Sequence, residues 1–152
     1  MSQVTRHVSY AEITQTSTGL PNEPKPQHMN NIIALCENVF EPLRKHVGKP
    51  IKINSVYRSE AVNKKIGGSA TSQHCKGEAM DIDDTFGAMS NNEMAFWIME
   101  NLNFDQLIFE KPVKGKASWI HVSYSVFKNR KQVLIFDGKK YLPFQTNKHL
   151  IY

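Results

Sequence analysis

SQHCKGEAMDID, residues 72–83, sets an imidazole, His74, seven residues ahead of a carboxylate, Asp81, across a glycine. Its second half, GEAMDID (77–83), alternates as a half-buried strand does, which puts Ala79, Asp81 and Asp83 on one side. WIHVSY (119–124) alternates in the same way, and Trp119, His121 and Ser123 share a side. If these strands lie next to each other, Asp81 and His121 converge. His74 then reaches in from the turn before Gly77, whose missing Cβ permits a tight approach. Two imidazoles and one carboxylate make a three-ligand set that suits zinc and leaves a fourth position for water, the mark of a catalytic site. Taken singly, each residue has a duller reading: a strand histidine at the surface or hydrogen-bonded in the core, and Asp81 as part of a turn cluster with Asp83 and Asp84.

Upstream, Met29, Ile32, Ile33, Cys36, Val39, Phe40, Leu43 and Val47 recur at i, i+3, i+4, i+7 spacing and predict an amphipathic helix stopped by Gly48 and Pro50. Pro42 inside it requires a kink or two abutting helices. Residues 1–27 are polar, with three prolines in TGLPNEPKPQ (18–27), and predict an extended N-terminal arm ahead of a single domain over 28–152. IKINSVY (51–57) reads as a strand leading to Arg58, and Ser59 caps a short helix through Ile66. Ser90 and Glu93 form a capping box that opens a helix burying Met94, Trp97, Ile98 and Leu102. DQLIFE (105–110), KQVLIF (131–136) and KKYLPF (139–144) supply further strands, the last two joined at Asp137-Gly138 by a hairpin turn. Early helices and late strands predict an α+β fold, a mainly antiparallel sheet with helices packed on one face.

A chain of 152 residues suits one domain, and 40% hydrophobic against 22% charged residues describes a folding chain rather than a disordered one. No run approaches the roughly 18 apolar residues of a membrane span, and MSQVTRHVSYAEITQ lacks the apolar stretch of a secretory signal peptide, so synthesis in the cytoplasm is expected. Cys36 and Cys75 are too few for a disulfide framework and read as free thiols. Residues 111–152 hold nine Lys/Arg against one acid, Asp137, a net of +8, whereas residues 1–110 hold ten bases and thirteen acids. Such a basic third can face an anionic wall polymer, nucleic acid or acidic lipid, or simply be solvated lysines. Phe127, Phe136, Tyr141 and Phe144 interleave with the lysines as a half-buried strand requires, so no nucleic-acid partner is expected. A monomer is the default.

Ser72-x-His74-x-x-Gly77-x-Ala79-x-Asp81 followed by Trp119-x-His121 resembles the signature of the zinc D-alanyl-D-alanine carboxypeptidases and their phage-endolysin relatives, which share a fold with the hedgehog signalling domain. The likeness covers residues 50–124. It implies that His74, Asp81 and His121 are the ligands of one Zn2+ per chain. It also implies that Arg58 binds a substrate carboxylate or carbonyl with its bidentate fork, and that Ser72 and neighbouring Gln73 bind substrate. Without the resemblance, Arg58 reads as a surface arginine near a helix start and Ser72 as a turn hydroxyl capping the backbone.

One position departs from the pattern. Many relatives carry a catalytic acid three residues before the last histidine, where this chain has Ser118. Glu110, ending DQLIFE, matches a branch of the family with a glutamate there and is the expected general base; an exposed strand-end glutamate is its plain alternative. Glu78 is the reserve, on the strand face opposite Asp81. Cys75 lacks the His/Asn pair of a thiol protease, and His7, His28, His46 and His149 have no partners at ligand spacing. Trp119 reads as core packing. The resemblance thus implies a zinc metallopeptidase of bacterial peptidoglycan stem peptides, either a D-Ala-D-Ala carboxypeptidase or an endolysin-type endopeptidase. It would act at the cell wall after phage- or prophage-type release or delivery. A catalytically inactive zinc- and peptide-binding module and a basic nucleic-acid-binding module are the alternatives.

Overall fold

The computed structural model describes residues 3–144, and it departs from the expected extended arm at once. Gln3–Thr5 (β1) and Val8–Ser9 (β2) form an antiparallel ribbon, and Ser9 with Glu12 makes a reciprocal capping box that opens α1 (Tyr10–Thr14). Val8 and Ile13 are completely buried in the main core, so residues 3–14 are part of the folded body. Burial of such side chains contributes about 1.5–3 kcal/mol each, which offsets the ordering of a short ribbon. The stretch that follows has no regular structure but is pinned by Asn22. Its Nδ2 donates to Thr14 O (3.1 Å) and Tyr57 O (2.9 Å), and its Oδ1 accepts from Ser59 N–H (2.7 Å). Asn22 therefore clasps the backbone on both sides of Arg58.

The predicted long helix is divided into α2 (Pro26–Leu35), a π-helical turn over Cys36–Phe40, and α3 (Glu41–Val47). Pro26 takes the first turn of α2, where a missing N–H costs nothing, so the helix starts before Met29. Pro42 likewise falls in the first turn of α3. Its lack of a donor is absorbed by the widened turn ahead of it, in which Glu41 N–H reaches back to Cys36 O rather than one residue less.

The remaining elements follow the sequence closely: β3 (Lys52–Ser55), α4 (Glu60–Lys65), β4 (Ala79–Asp83), α5 (Asn91–Asn101), β5 (Gln106–Glu110), β6 (Trp119–Ser123), β7 (Gln132–Phe136) and β8 (Tyr141–Pro143). Six strands form one sheet in the order β3-β4-β6-β5-β7-β8, antiparallel throughout except for the parallel β5–β7 pair. Ser59 and Ser90 cap α4 and α5 as their positions require, Ser90 in a box with Glu93.

Alternation divides the sheet into two faces. Met80, Ile82, Leu107, Phe109, Ile120, Val122 and Ile135 point into a core shared with Ile32, Leu35, Leu43 and Phe40 from the α2–α3 segment and Met94 and Ile98 from α5. The alternate residues, Asp81, Ile108, Glu110, Trp119 and His121, are left for the other face. Among the described residues, no helix is long and apolar enough to cross a membrane.

Candidate metal centre

Asp81 and His121 sit directly opposite each other in the antiparallel β4–β6 ladder. His74 enters from a 3-10 turn, Gln73–Lys76, whose start is capped by Ser72 Oγ accepting from His74 N–H. Gly77 closes that turn at φ +73°, and a Cβ there would lie 2.6 Å from His28 O and 2.7 Å from Ile32 Cγ1. Only glycine lets the turn seat against α2 at this distance. The three side chains, all buried, bring one potential ligand atom each within 4.8 Å of one another and could hold a metal ion.

The hydrogen bonds around this cluster leave a position that a cation would fill. His74 Nδ1 lies 2.7 Å from Val56 O, which can only accept, so the ring proton is there and a neutral ring presents its lone pair at Nε2. His121 Nε2 lies 3.2 Å from Gln73 Oε1, so the lone pair of that ring is at Nδ1. Both lone pairs face Asp81 Oδ1, at 3.4 Å from His74 and 3.3 Å from His121. No hydrogen bond of good geometry reaches this buried oxygen. A tetrahedral site with bonds of about 2.0–2.1 Å has edges of about 3.3 Å, the separation found here. The donor set and its outward hydrogen bonds, one to a backbone carbonyl and one to a side-chain amide, fit a zinc site. Burial favours a protonated Asp81, whereas positive charge on the flanking His74 and His121 would hold the carboxyl well below its ordinary range; with both rings neutral, that charge has to come from a bound cation.

The second Asp81 oxygen is held by Arg58, whose Nη2 donates to Oδ2 at 3.2 Å while its Nε donates to Ser55 Oγ at 3.3 Å. Arg58 N–H donates to His74 O (3.1 Å), which joins the two segments. Arg58, His74, Asp81 and His121 line a cleft of about 640 Å³ together with Ser72, Gln73, Glu110, Lys111, Trp119, Arg130, Phe136 and Tyr141. Glu110 pairs with Trp119 across β5–β6, two residues from Ile108, which opposes His121, and so shares the cleft face. It is only 9% exposed, unlike an ordinary strand-end glutamate. Burial, aided by Asp81, pushes its carboxyl up to about 7 against the opposing pull of His121, Lys111 and Arg58.

Other expectations change in the structure. Gln73, expected as a substrate contact, has both ends of its amide engaged within the protein: Oε1 with His121 and Nε2 donating to Asp105 Oδ2 at 2.9 Å. Trp119 lines the cleft, half-buried beneath Lys111 Nζ at 5.5 Å, rather than packing in the core; its alternation with His121 already carried that information. Ser118 is exposed and its hydroxyl donates to Lys111 O. Ser72 keeps its capping role while facing the cleft. His7 pairs with Glu41, His28 with Tyr57 Oη, and His46 stacks on Trp97; His149 lies outside the described residues. Cys36 and Cys75 are free, and burial raises both thiols, Cys36 to about 12. Asp105 and Arg130 enter the site's surroundings without having been singled out in the sequence, where an aspartate at a strand start and an arginine in a basic run looked ordinary.

A family model described as Peptidase M15 matches residues 6–123, and on that match the chain belongs to the peptidase M15 family. No curated protein matches the chain.

Proposed function

We propose that the protein is a zinc peptidase acting on the stem peptides of bacterial peptidoglycan, with one Zn2+ per chain held by His74, Asp81 and His121. The observation that carries this reading is the buried Asp81 Oδ1, without a hydrogen bond and faced by two imidazole lone pairs. Membership of a peptidase family supports the reaction class, and the sequence resemblance supports the substrate and a sheet of the hedgehog kind. Zinc in such a site acts as a Lewis acid and lowers the pKa of a bound water toward about 7.

The chain's own groups supply the rest. Glu110 accepts the proton of the attacking water and delivers it to the leaving amine, a task for a carboxyl that burial on the cleft face pushes up from its ordinary value in the metal-free protein. Arg58, with one arm on Asp81, offers its remaining donors to a peptide carbonyl or carboxylate. Ser72 lines the same cleft with a hydroxyl proton to donate. Exposed Lys111, Lys114 and Lys116 around the β5–β6 connection give an anionic wall polymer a basic surface, an association that added salt weakens. The protein then acts as a monomer at the cell wall, reached by release or delivery as a phage or prophage lysin reaches it.

The test is mass spectrometry of soluble products from purified peptidoglycan, with the protein as purified, after chelation, and after zinc is added back. Products that vanish with chelator and return with zinc are expected. Loss of a terminal D-alanine marks a carboxypeptidase, and cuts inside the stem mark an endolysin-type endopeptidase. Stoichiometric zinc with no products from walls of several stem chemistries would replace this reading with a non-catalytic binding module.

A further inference from the structure

The amide of Gln73 cannot choose its own orientation. Asp105 is a carboxylate in a fixed place: its N–H donates to Ser123 O (2.9 Å), and its C=O accepts from Gln132 N–H (3.0 Å). Three donors of Arg130 hold its side chain, backbone N–H and Nε on Oδ1 (3.0 and 2.9 Å) and Nη2 on Oδ2 (2.9 Å). Those hydrogen bonds keep the Asp105 carboxyl below its ordinary range despite partial burial, so it only accepts. Gln73 must therefore turn its NH2 toward Asp105 Oδ2, which leaves Oε1 toward His121 Nε2. An amide oxygen there admits only an N–H, so the proton of a neutral His121 is at Nε2 and its lone pair is at Nδ1, facing Asp81 Oδ1.

We propose that Arg130, Asp105 and Gln73 are positioning residues: a hydrogen-bond relay that fixes the Nε2–H tautomer of His121 and thereby aims its Nδ1 lone pair at the metal position. The tautomer follows from the protein alone; its consequence for metal binding rests on the zinc reading above. The relay assigns Gln73 to the support of a ligand, and it gives Arg130, whose side chain is half-exposed on the cleft rim, a partner inside the fold. Reversal of one amide would present a proton to Asp81 where a ligand atom is needed.

The experiment reverses it. In Asp105→Asn the new amide nitrogen takes the place of Oδ2, because Oδ1 accepts from both the backbone N–H and Nε of Arg130, whereas Oδ2 has one Arg130 donor, Nη2, which the half-exposed guanidinium turns to solvent. It then donates toward position 73, the Gln73 amide turns over, and the His121 proton moves to Nδ1. The double variant Gln73→Glu with Asp105→Asn restores the order of donors and acceptors, since the amide at 105 donates to a carboxylate at 73 that accepts from His121 Nε2–H. Two readouts are made on protein whose melting shows it folded: long-range 1H–15N NMR of the His121 ring in metal-free protein, and zinc affinity by chelator competition. The wild type and the double variant are expected to show the Nε2–H form and zinc affinities within a few-fold of each other. The single variant is expected to show the Nδ1–H form and a 10- to 100-fold weaker affinity. An Asp105→Asn protein that keeps the Nε2–H form, or a double variant as impaired as the single, overturns the relay. If the tautomer moves as expected but the wild type binds no zinc, the zinc reading fails and the relay stands.

Discussion

Strands β4, β5 and β6 carry two chemistries on alternate residues. On one face Met80, Ile82, Leu107, Phe109, Ile120 and Val122 pack against helices, every one of them without solvent exposure. On the other, Asp81, His121 and Glu110 are nearly as buried, yet Asp81 Oδ1 has no hydrogen bond and Glu110 has a carboxyl pushed up to about 7. The apolar face gains stability by satisfying its groups. The polar face withholds satisfaction, which costs stability and leaves atoms able to take a cation, a proton or a substrate. Burial alone therefore does not distinguish core from site; on these strands the alternation of apolar and ionisable side chains does.

The sharpest way to break this contrast is to remove Asp81. Asp81→Ala is expected to abolish zinc retention and reduce hydrolysis to background, with the fold intact by circular dichroism; retained zinc would show that the orphan oxygen is not a ligand. Glu110→Gln comes next, with kcat expected to fall about 10²–10⁴-fold. Its stability effect has the opposite sign. The native Glu110 keeps its proton up to about 7 while the unfolded chain releases it near the ordinary glutamate value, so the native state of the metal-free protein binds more protons and loses stability as pH rises through that window. Metal-free Glu110→Gln should thus be more stable than wild type at pH 8 by on the order of 2–3 kcal/mol, and close to it at pH 4, as read by chemical denaturation.

On the other face, Phe109→Ala is expected to cost about 3–5 kcal/mol, because the ring is fully buried against Phe96 and Phe144. Zinc affinity of the folded fraction should stay as in the wild type; a large loss would mean that the two faces are energetically coupled. The smallest effect is expected away from both. Ser90→Ala removes the cap of α5, for about 1 kcal/mol by thermal melting and no change in zinc affinity.

The strands that hold the site were legible because strand alternation is local: GEAMDID and WIHVSY each declare a polar face within seven residues. The capping box Ser90-x-x-Glu93 was equally plain, and Ser9-x-x-Glu12 carries the same signal at the start of α1, where the polar composition of the first 27 residues obscured it. Strands β1 and β2, three and two residues long, are too short to show a period at all. The π-helical turn before Pro42 left only the proline as a trace. The hydrogen bonds of Gln73 to the protein were illegible for a different reason: its partners, Asp105 and His121, are 32 and 48 residues away, and an amide has no preferred end until both are in place.

The local pattern of residues settled which types meet: an imidazole and a carboxylate on facing strands, a glycine at the turn that brings in a second imidazole, His74, and an apolar face to press the sheet against its helices. Those are consequences of backbone period and side-chain volume, written within a few residues. The tertiary structure alone decided the direction of each hydrogen bond. It spent the outer nitrogens of His74 and His121 on Val56 O and Gln73 Oε1, divided Asp81 between Arg58 and an open oxygen, and buried Glu110 deeply enough to hold a proton near neutrality. Orientation and desolvation depend on every neighbour at once, and those neighbours come from all parts of the chain.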